Sequence, residues 1–379
     1  MTDTLASSAR RLRLDDVCRA MEQLAPTRLA QEWDNVGLLA GDRSASVRRV
    51  LLCIDLTLAV VQEAIDRDVQ LVAAYHPPLF KPISRLTVPS PDTDEAVFRC
   101  IASGIGIYST HTALDAADGG TNDCMARLCG ITDTQPLEFT GGRTDGDCKV
   151  VVFVPAADID KVADAMFAAG AGWIGDYEKC SFRIPGTGTF RGGASTTPTV
   201  GEAGRFETVE EIRLEAVTRR NSLPAVIEAL RQTHSYEEPA FDIYPLSAVP
   251  ERGIGRCGHL PAPTPLSSLA RKLKNLIAAP GTQFVGDAKR NVSRAVICVG
   301  AAGSLPFAMS LNEDDVIITG EMRHHDALTV IRRGCSAITL GHWASEHPAL
   351  ELFSTNLSML LPTMEILISE VDRDPFSPI

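Results

Sequence analysis

Four of the chain's eight histidines, His324, His325, His342 and His347, fall in one stretch, residues 319–348 (TGEMRHHDALTVIRRGCSAITLGHWASEHP). An imidazole and a carboxylate one helical turn apart can grip a single metal ion, and His342 and Glu346 have that spacing if a helix begins at 342. His347 is five residues from His342 and precedes Pro348, which takes it off that face. Short apolar runs at 316–319 and 337–340, each followed by Gly and a helix-like pattern, read as strands. Their carboxyl ends are where α/β sheets keep ligand-handling side chains. On its own the pair fits an ordinary exposed helix start equally well.

Two further strand ends carry the same chemistry. Residues 70–76 read as a strand closing on Tyr75-His76-Pro77-Pro78, and the proline holds His76 extended, with its ring at the sheet edge. Residues 106–110 read as another strand, leading into His111-Thr112-Ala113-Leu114-Asp115. Imidazole plus carboxylate without thiolate suits Zn, Mn, Fe, Co or Ni in an open site. A carboxylate such as Asp115 or Glu346 could bridge two divalent ions about 3.5 to 4 Å apart and make water nucleophilic near neutral pH. The chemistry so implied is hydrolytic. Gly300-Ala301-Ala302-Gly303-Ser304 is a weaker feature, a turn able to seat an anion if a helix follows.

Around these residues the pattern is α/β. A helix is expected at 14–24, a loop packed against a site at 32–42, then strand 49–55, helix 58–67, strand 70–76, helix 92–103, strand 106–110 and helix 119–128. Strand, helix, strand is the parallel crossover unit. From Cys148 the order becomes strand 148–154, helix 159–169, strand 210–219, helix 224–233 and strand 240–244. A Gly/Thr-rich stretch at 186–204, too polar for a core, lies between the first helix and the later strand. That order fits a ferredoxin-like split βαβ domain inserted into the chain. The α/β pattern resumes with helix 265–277 and strand 295–299.

A length of 379 residues suggests two or three domains, and the net charge of −12 argues against a phosphate backbone as partner. No apolar run approaches the roughly 20 residues that span a bilayer. Arg10, Arg11 and Arg13 are followed at once by Asp15 and Asp16, which reads as a helix start and not as a targeting segment. The ten cysteines are scattered among apolar residues with no C-x-x-C pair, as small core hydrophobes in a reducing compartment. Cytoplasm is the expected location.

Together these motifs resemble the NIF-three-like family, also called GTP cyclohydrolase 1 type 2 homologs, over nearly the whole chain. The matching residues are Trp33-Asp34-Asn35-Val36-Gly37, Asp55-Leu56-Thr57, Tyr75-His76-Pro77-Pro78, His111-Thr112-Ala113-Leu114-Asp115, His234-Ser235-Tyr236-Glu237-Glu238-Pro239-Ala240, Thr319-Gly320-Glu321, and Gly341-His342 with Glu346. The resemblance implies two similar α/β lobes, at 1–145 and 251–379, flanking a dinuclear metal centre. It implies an inserted PII-like ferredoxin-like α+β domain at 146–250 and a toroidal homohexamer. By position it implies His76, Asp115, His342 and Glu346 as metal ligands, His325 as an outer or acid/base group, and His111 as a group orienting Asp115 or substrate. Tyr75 stands where many members carry a first histidine, so one ion is expected to be held less tightly. The implied activity is metal-dependent hydrolysis of a nucleotide-like ring or ester. The alternative is a metal-binding or regulatory protein whose inserted domain senses a small molecule.

Overall fold

A computed structural model describes residues 12–89, 94–139, 147–246 and 252–377. Arg10, Arg11, the first residues of the helix expected from 92, and the domain boundaries at 145–146 and 250–251 lie outside the described residues. The rest falls into two compact units, one within 1–140 and 250–379, the other within 141–249.

The first unit begins with α1 (Leu14–Leu24), whose apolar stripe Leu14, Val17 and Met21 is buried. Then come β1 (Gly37–Ala40), β2 (Arg49–Cys53), α2 (Leu58–Asp66), β3 (Leu71–Ala74), α3 (Asp94–Ala102), β4 (Gly106–Ser109), α4 (His111–Ala116), α5 (Thr121–Cys129) and the two-residue β5 (Glu138–Phe139). The strands β2, β3 and β4 are almost wholly buried apolar residues, the signature of a parallel sheet covered on both faces. Residues 37–40, expected within a loop, instead form an edge strand antiparallel to β4. Three apolar residues are too few for periodicity to declare them.

The second unit contains β6 (Asp147–Pro155), α6 (Ile159–Ala168), β7 (Phe182–Arg191), β8 (Phe206–Arg219), α7 (Leu223–Thr233) and β9 (Phe241–Pro245). Its sheet order is β7-β8-β6-β9, all antiparallel, which is the ferredoxin-like arrangement. β7 enters the Gly/Thr-rich stretch and is largely exposed, as its polarity requires.

The chain then returns to the first unit with β10 (Gly253–Ile254), β11 (Arg256–Pro265), α8 (Leu266–Leu276), β12 (Gln283–Val285), β13 (Asn291–Ala301), β14 (Asp315–Glu321), α9 (His324–Arg333), β15 (Ser336–Thr339), α10 (His342–Glu346), α11 (Pro348–Leu360) and β16 (Glu365–Ile368). Its sheet runs β11-β13-β14-β15-β12, with a parallel centre and antiparallel edges. The last strand does not join the second lobe's sheet. β16 leaves it and adds to the first lobe's sheet, parallel to β2 with Ile366 beside Val50. α11 goes with it, burying Leu350, Phe353 and Leu357 against Leu14 and Met21. In the opposite sense, α5 buries Met125, Ala126 and Cys129 against Leu266, Leu273 and Ile297 of the second lobe. An apolar helix face does not encode which sheet will cover it. All ten cysteines are free thiols and most are buried.

Candidate metal centre

Three side chains converge within metal-binding reach: His76, His342 and Glu346. His76 follows β3, and its N–H donates to Ile54 O at 3.0 Å, which pins it to the end of β2. α10 opens directly on His342 and runs to Glu346, so their side chains share one face. The helix fits there because two glycines clear its path. A β-carbon on Gly320 would stand 2.9 Å from His342 Cα, and one on Gly300, which adopts φ +62°, would collide with Glu346 Oε1. Gly300 therefore makes space for a carboxylate. It does not form the expected anion seat, because β13 continues to Ala301 and only a short 3-10 turn at Leu305–Ala308 follows.

Glu346 is only 3% exposed. Its Oε1 lies 3.2 Å from His342 Nε2, and its Oε2 lies 3.4 Å from His76 Nε2 without forming a hydrogen bond. Each imidazole is held from behind. His76 Nδ1 is 3.0 Å from Asp55 Oδ1, and His342 Nδ1 is 3.3 Å from Glu321 Oε1. An outer carboxylate on Nδ1 fixes the tautomer and aims Nε2 inward, the usual support of a metal-ligating histidine. Burial opposes charge on His76, but Asp55 and Glu346 outweigh it and raise its pKa to about 10. At His342 the Glu346 hydrogen bond prevails over burial and brings the pKa to about 9. Burial works against ionised Glu346, yet the two imidazoles hold its pKa below the usual carboxylate value. A cluster that collects protons this readily is built to host positive charge.

His111 has the same outer support. Its Nδ1 lies 2.8 Å from Asp34 Oδ1, while Asp34 also accepts from the Thr112 N–H and hydroxyl. Burial raises the Asp34 pKa, but these bonds bring it below the ordinary range. The backbone of His111 sits at φ +23°, rare for a side-chain-bearing residue, and its N–H is anchored on Tyr75 O. Its ring centroid is 5.4 Å from that of His76. Trp33, 59% exposed, lies 6.0 Å from the His111 ring and 5.9 Å from Phe80, an aromatic rim beside the cluster.

Asp115 is not among the three converging ligands. Its Oδ1 accepts the Tyr75 hydroxyl at 2.6 Å and the Thr121 hydroxyl. Burial raises its pKa, with those hydroxyls working the other way. Tyr75 is 2% exposed, and burial followed by the Asp115 charge pushes its phenol well above 10. It acts as a neutral donor to Asp115. His324 and His325 begin α9 in exposed positions with their rings 5.6 Å apart, and no hydrogen bond or ring contact among the described residues joins His325 to the cluster. His347 stacks on Trp343, centroids 4.2 Å apart. Motif matching alone assigned no roles to Asp34, Asp55 and Glu321. The signal available was position: Asp55 lies just past a strand end, and Glu321 closes another.

The Duf34/NIF3 (NGG1p interacting factor 3) family model matches residues 12–375. The chain belongs to the Duf34/NIF3 family. It is 36% identical over 374 residues to the Mycobacterium tuberculosis "GTP cyclohydrolase 1 type 2 homolog", covering 97% of each chain. It is 32% identical over 370 residues to the Bacillus subtilis protein of the same name, covering 95% of this chain and 97% of that one. A solved Bacillus cereus protein related to NIF3 shares the fold with TM-score 0.70 and 30% identity, over 98% of this chain and 100% of the other.

Proposed function

We propose that this family member is a metal-dependent hydrolase of the GTP cyclohydrolase 1 type 2 homolog kind, acting on a nucleotide-like ring or ester. The observation that carries the reading is the buried Glu346 Oε2, a carboxylate oxygen with no hydrogen-bond partner, 3.4 Å from His76 Nε2. Leaving such an oxygen unsatisfied costs about 1–3 kcal/mol or more, and a divalent cation removes that cost. The donor set of two imidazoles and a carboxylate suits Zn, Mn, Fe, Co or Ni.

In this reading His76, His342 and Glu346 would hold one ion, and Asp115 would supply a carboxylate to a second. A bound divalent ion supplies Lewis acidity and lowers the pKa of water. The chain's own residues do the rest. Asp55, Glu321 and Asp34 aim three imidazoles and fix their tautomers, Tyr75 and Thr121 hold Asp115 at Oδ1, and His111 Nε2 is placed to move a proton. The exposed rings of Trp33 and Phe80, tilted 54° to each other, offer apolar faces to a planar ring. The toroidal hexamer belongs to the same reading, and light scattering measures it.

The test is to strip the protein of metal, reload it with each of the five ions, and incubate it with GTP and a panel of nucleotides and phosphoesters. Chromatography should show a hydrolysis product that disappears in Glu346→Gln. Asp55→Asn should lower metal affinity or turnover by about 10- to 100-fold. No turnover by metal-loaded protein anywhere in the panel sinks the hydrolase reading.

A further inference from the structure

The inserted unit contains a cavity lined by none of the metal-centre residues. Its sheet is covered by helices on one face. Val150, Val152 and Val154 of β6, with Leu214 and Ala216 of β8, pack against α6 and α7. Period-two alternation sends Phe153, Glu211 and Arg213 to the opposite face, where Phe153 pairs with Arg213 and Glu211 with Gly186. A cavity of about 570 Å³ opens there, the size of a small-molecule site.

The walls are tied together. Thr197 N–H donates to Glu237 Oε2 at 3.2 Å, and the Thr199 hydroxyl donates to Ser235 O at 2.7 Å. These bonds join the Gly/Thr-rich stretch to the His234–Ala240 motif. His234 anchors that motif, with Nε2 2.9 Å from Phe153 O and Nδ1 accepting the Tyr236 N–H at 3.0 Å. The Tyr236 hydroxyl is buried beside the Glu211 carboxylate yet has no well-formed hydrogen bond. Gly188 leaves room for that carboxylate, since a β-carbon there would collide with it.

The lining chooses the charge of the ligand. Three carboxylates, Glu211, Glu237 and Glu238, face one cation, Arg213. Arg213 is already engaged, its Nε 2.8 Å from Glu215 Oε1. The Phe153 ring already carries the Arg213 guanidinium, 5.9 Å from its centroid, and the rings of Phe190 and Tyr236 add negative faces that attract an ammonium.

We propose that this cavity binds a small organic cation, a primary amine on an aromatic body. The body sits among Phe153, Phe190, Ile184 and Val200, and the ammonium donates to Glu211 and to the Tyr236 oxygen. The site is independent of the hydrolase reading, so each can fail alone. The test is calorimetric titration of the full chain with phenethylamine and, as a match of opposite charge, 3-phenylpropionate. Phenethylamine should bind saturably and the acid at least about tenfold more weakly. Glu211→Gln should weaken the amine about tenfold, and Val200→Trp, which fills the cavity, should abolish binding. Circular dichroism and metal content should be unchanged in both variants. No saturable amine binding, equal binding of the acid, or indifference to both substitutions overturns the proposal. So does displacement of the amine by calcium chloride at matched ionic strength, which would mark an acidic inorganic-cation site.

Discussion

At the scale of single residues, the candidate centre is a set of imidazoles aimed by carboxylates at one buried acid. Replacing His342 and Glu346 together by Ala should abolish bound metal and leave a folded protein, because neither side chain belongs to an apolar core stripe. Elemental analysis with circular dichroism decides this, and full metal content in the double variant would refute the site. Removing the metal exposes the protonation chemistry. His76 and His342 have folded-state pKa values of about 10 and 9, above the unfolded value of 6.5. Groups raised in this way contribute stability that is complete below about pH 6.5 and is lost as pH climbs through 9 and then 10. Chelator-treated protein should therefore show a Tm that declines from pH 6.5 to 10. Metal-loaded protein should not follow it, since the ion replaces the protons. An equally flat Tm for both forms would contradict the assigned pairings. The expectation of one weakly served metal position concerns Tyr75. A buried phenol donates to Asp115 and brings no nitrogen donor, so stepwise removal of metal by a mild chelator, brought together by Tyr75→His, is the outcome expected.

At the scale of elements, the centre depends on the close approach of α10 to β13 and β14. Gly300→Ala should reduce metal content at least as strongly as losing one ligand, because the added methyl meets Glu346 Oε1 and because φ +62° strains any side-chain-bearing residue. The cost in stability should be about 1–3 kcal/mol, read from urea unfolding. A variant with unchanged metal and unchanged stability would show that α10 does not need this clearance. The C-terminal tail belongs to the same arrangement. Buried Asp372 accepts the Ile54 N–H at 2.6 Å and lies 3.3 Å from Trp343 Nε1, linking the residues next to Asp55 and to His342.

At the scale of the molecule, the inserted unit is its own folding problem. Its core, centred on Val150, Val152, Leu214 and Leu230, is separate from the clusters under the two lobe sheets. Its ends are neighbours, with Leu246 N–H donating to Asp147 O at 3.0 Å. Deleting residues 147–246 and closing the gap with a short Gly/Ser linker should therefore leave a soluble core that still binds metal. Size-exclusion chromatography and metal analysis check it. An insoluble or metal-free product would mean that the lobes require the insertion.

Much of this molecule follows from local chemistry. The buried runs of β2, β3, β14 and β15 are legible because a strand covered on both faces is a nearly continuous apolar run through its middle. The one-turn spacing of His342 and Glu346 is legible because a helix repeats on that scale. Five of the six elements of the inserted unit are legible because its helices and strands have different periods, whereas β7, exposed and entering the Gly/Thr-rich stretch, has no apolar alternation to declare it. The tertiary structure alone decided which sheet receives β16, that α5 and α11 cover the lobe remote in sequence, and that Asp34, Asp55 and Glu321 stand behind the imidazoles. It also brought His76, which is remote in sequence, to His342 and Glu346. Periodicity records how each segment meets water and core. It carries nothing about which distant segment supplies the other surface, and pairings such as Asp55 with His76 or Glu321 with His342 exist only once the strands stand side by side.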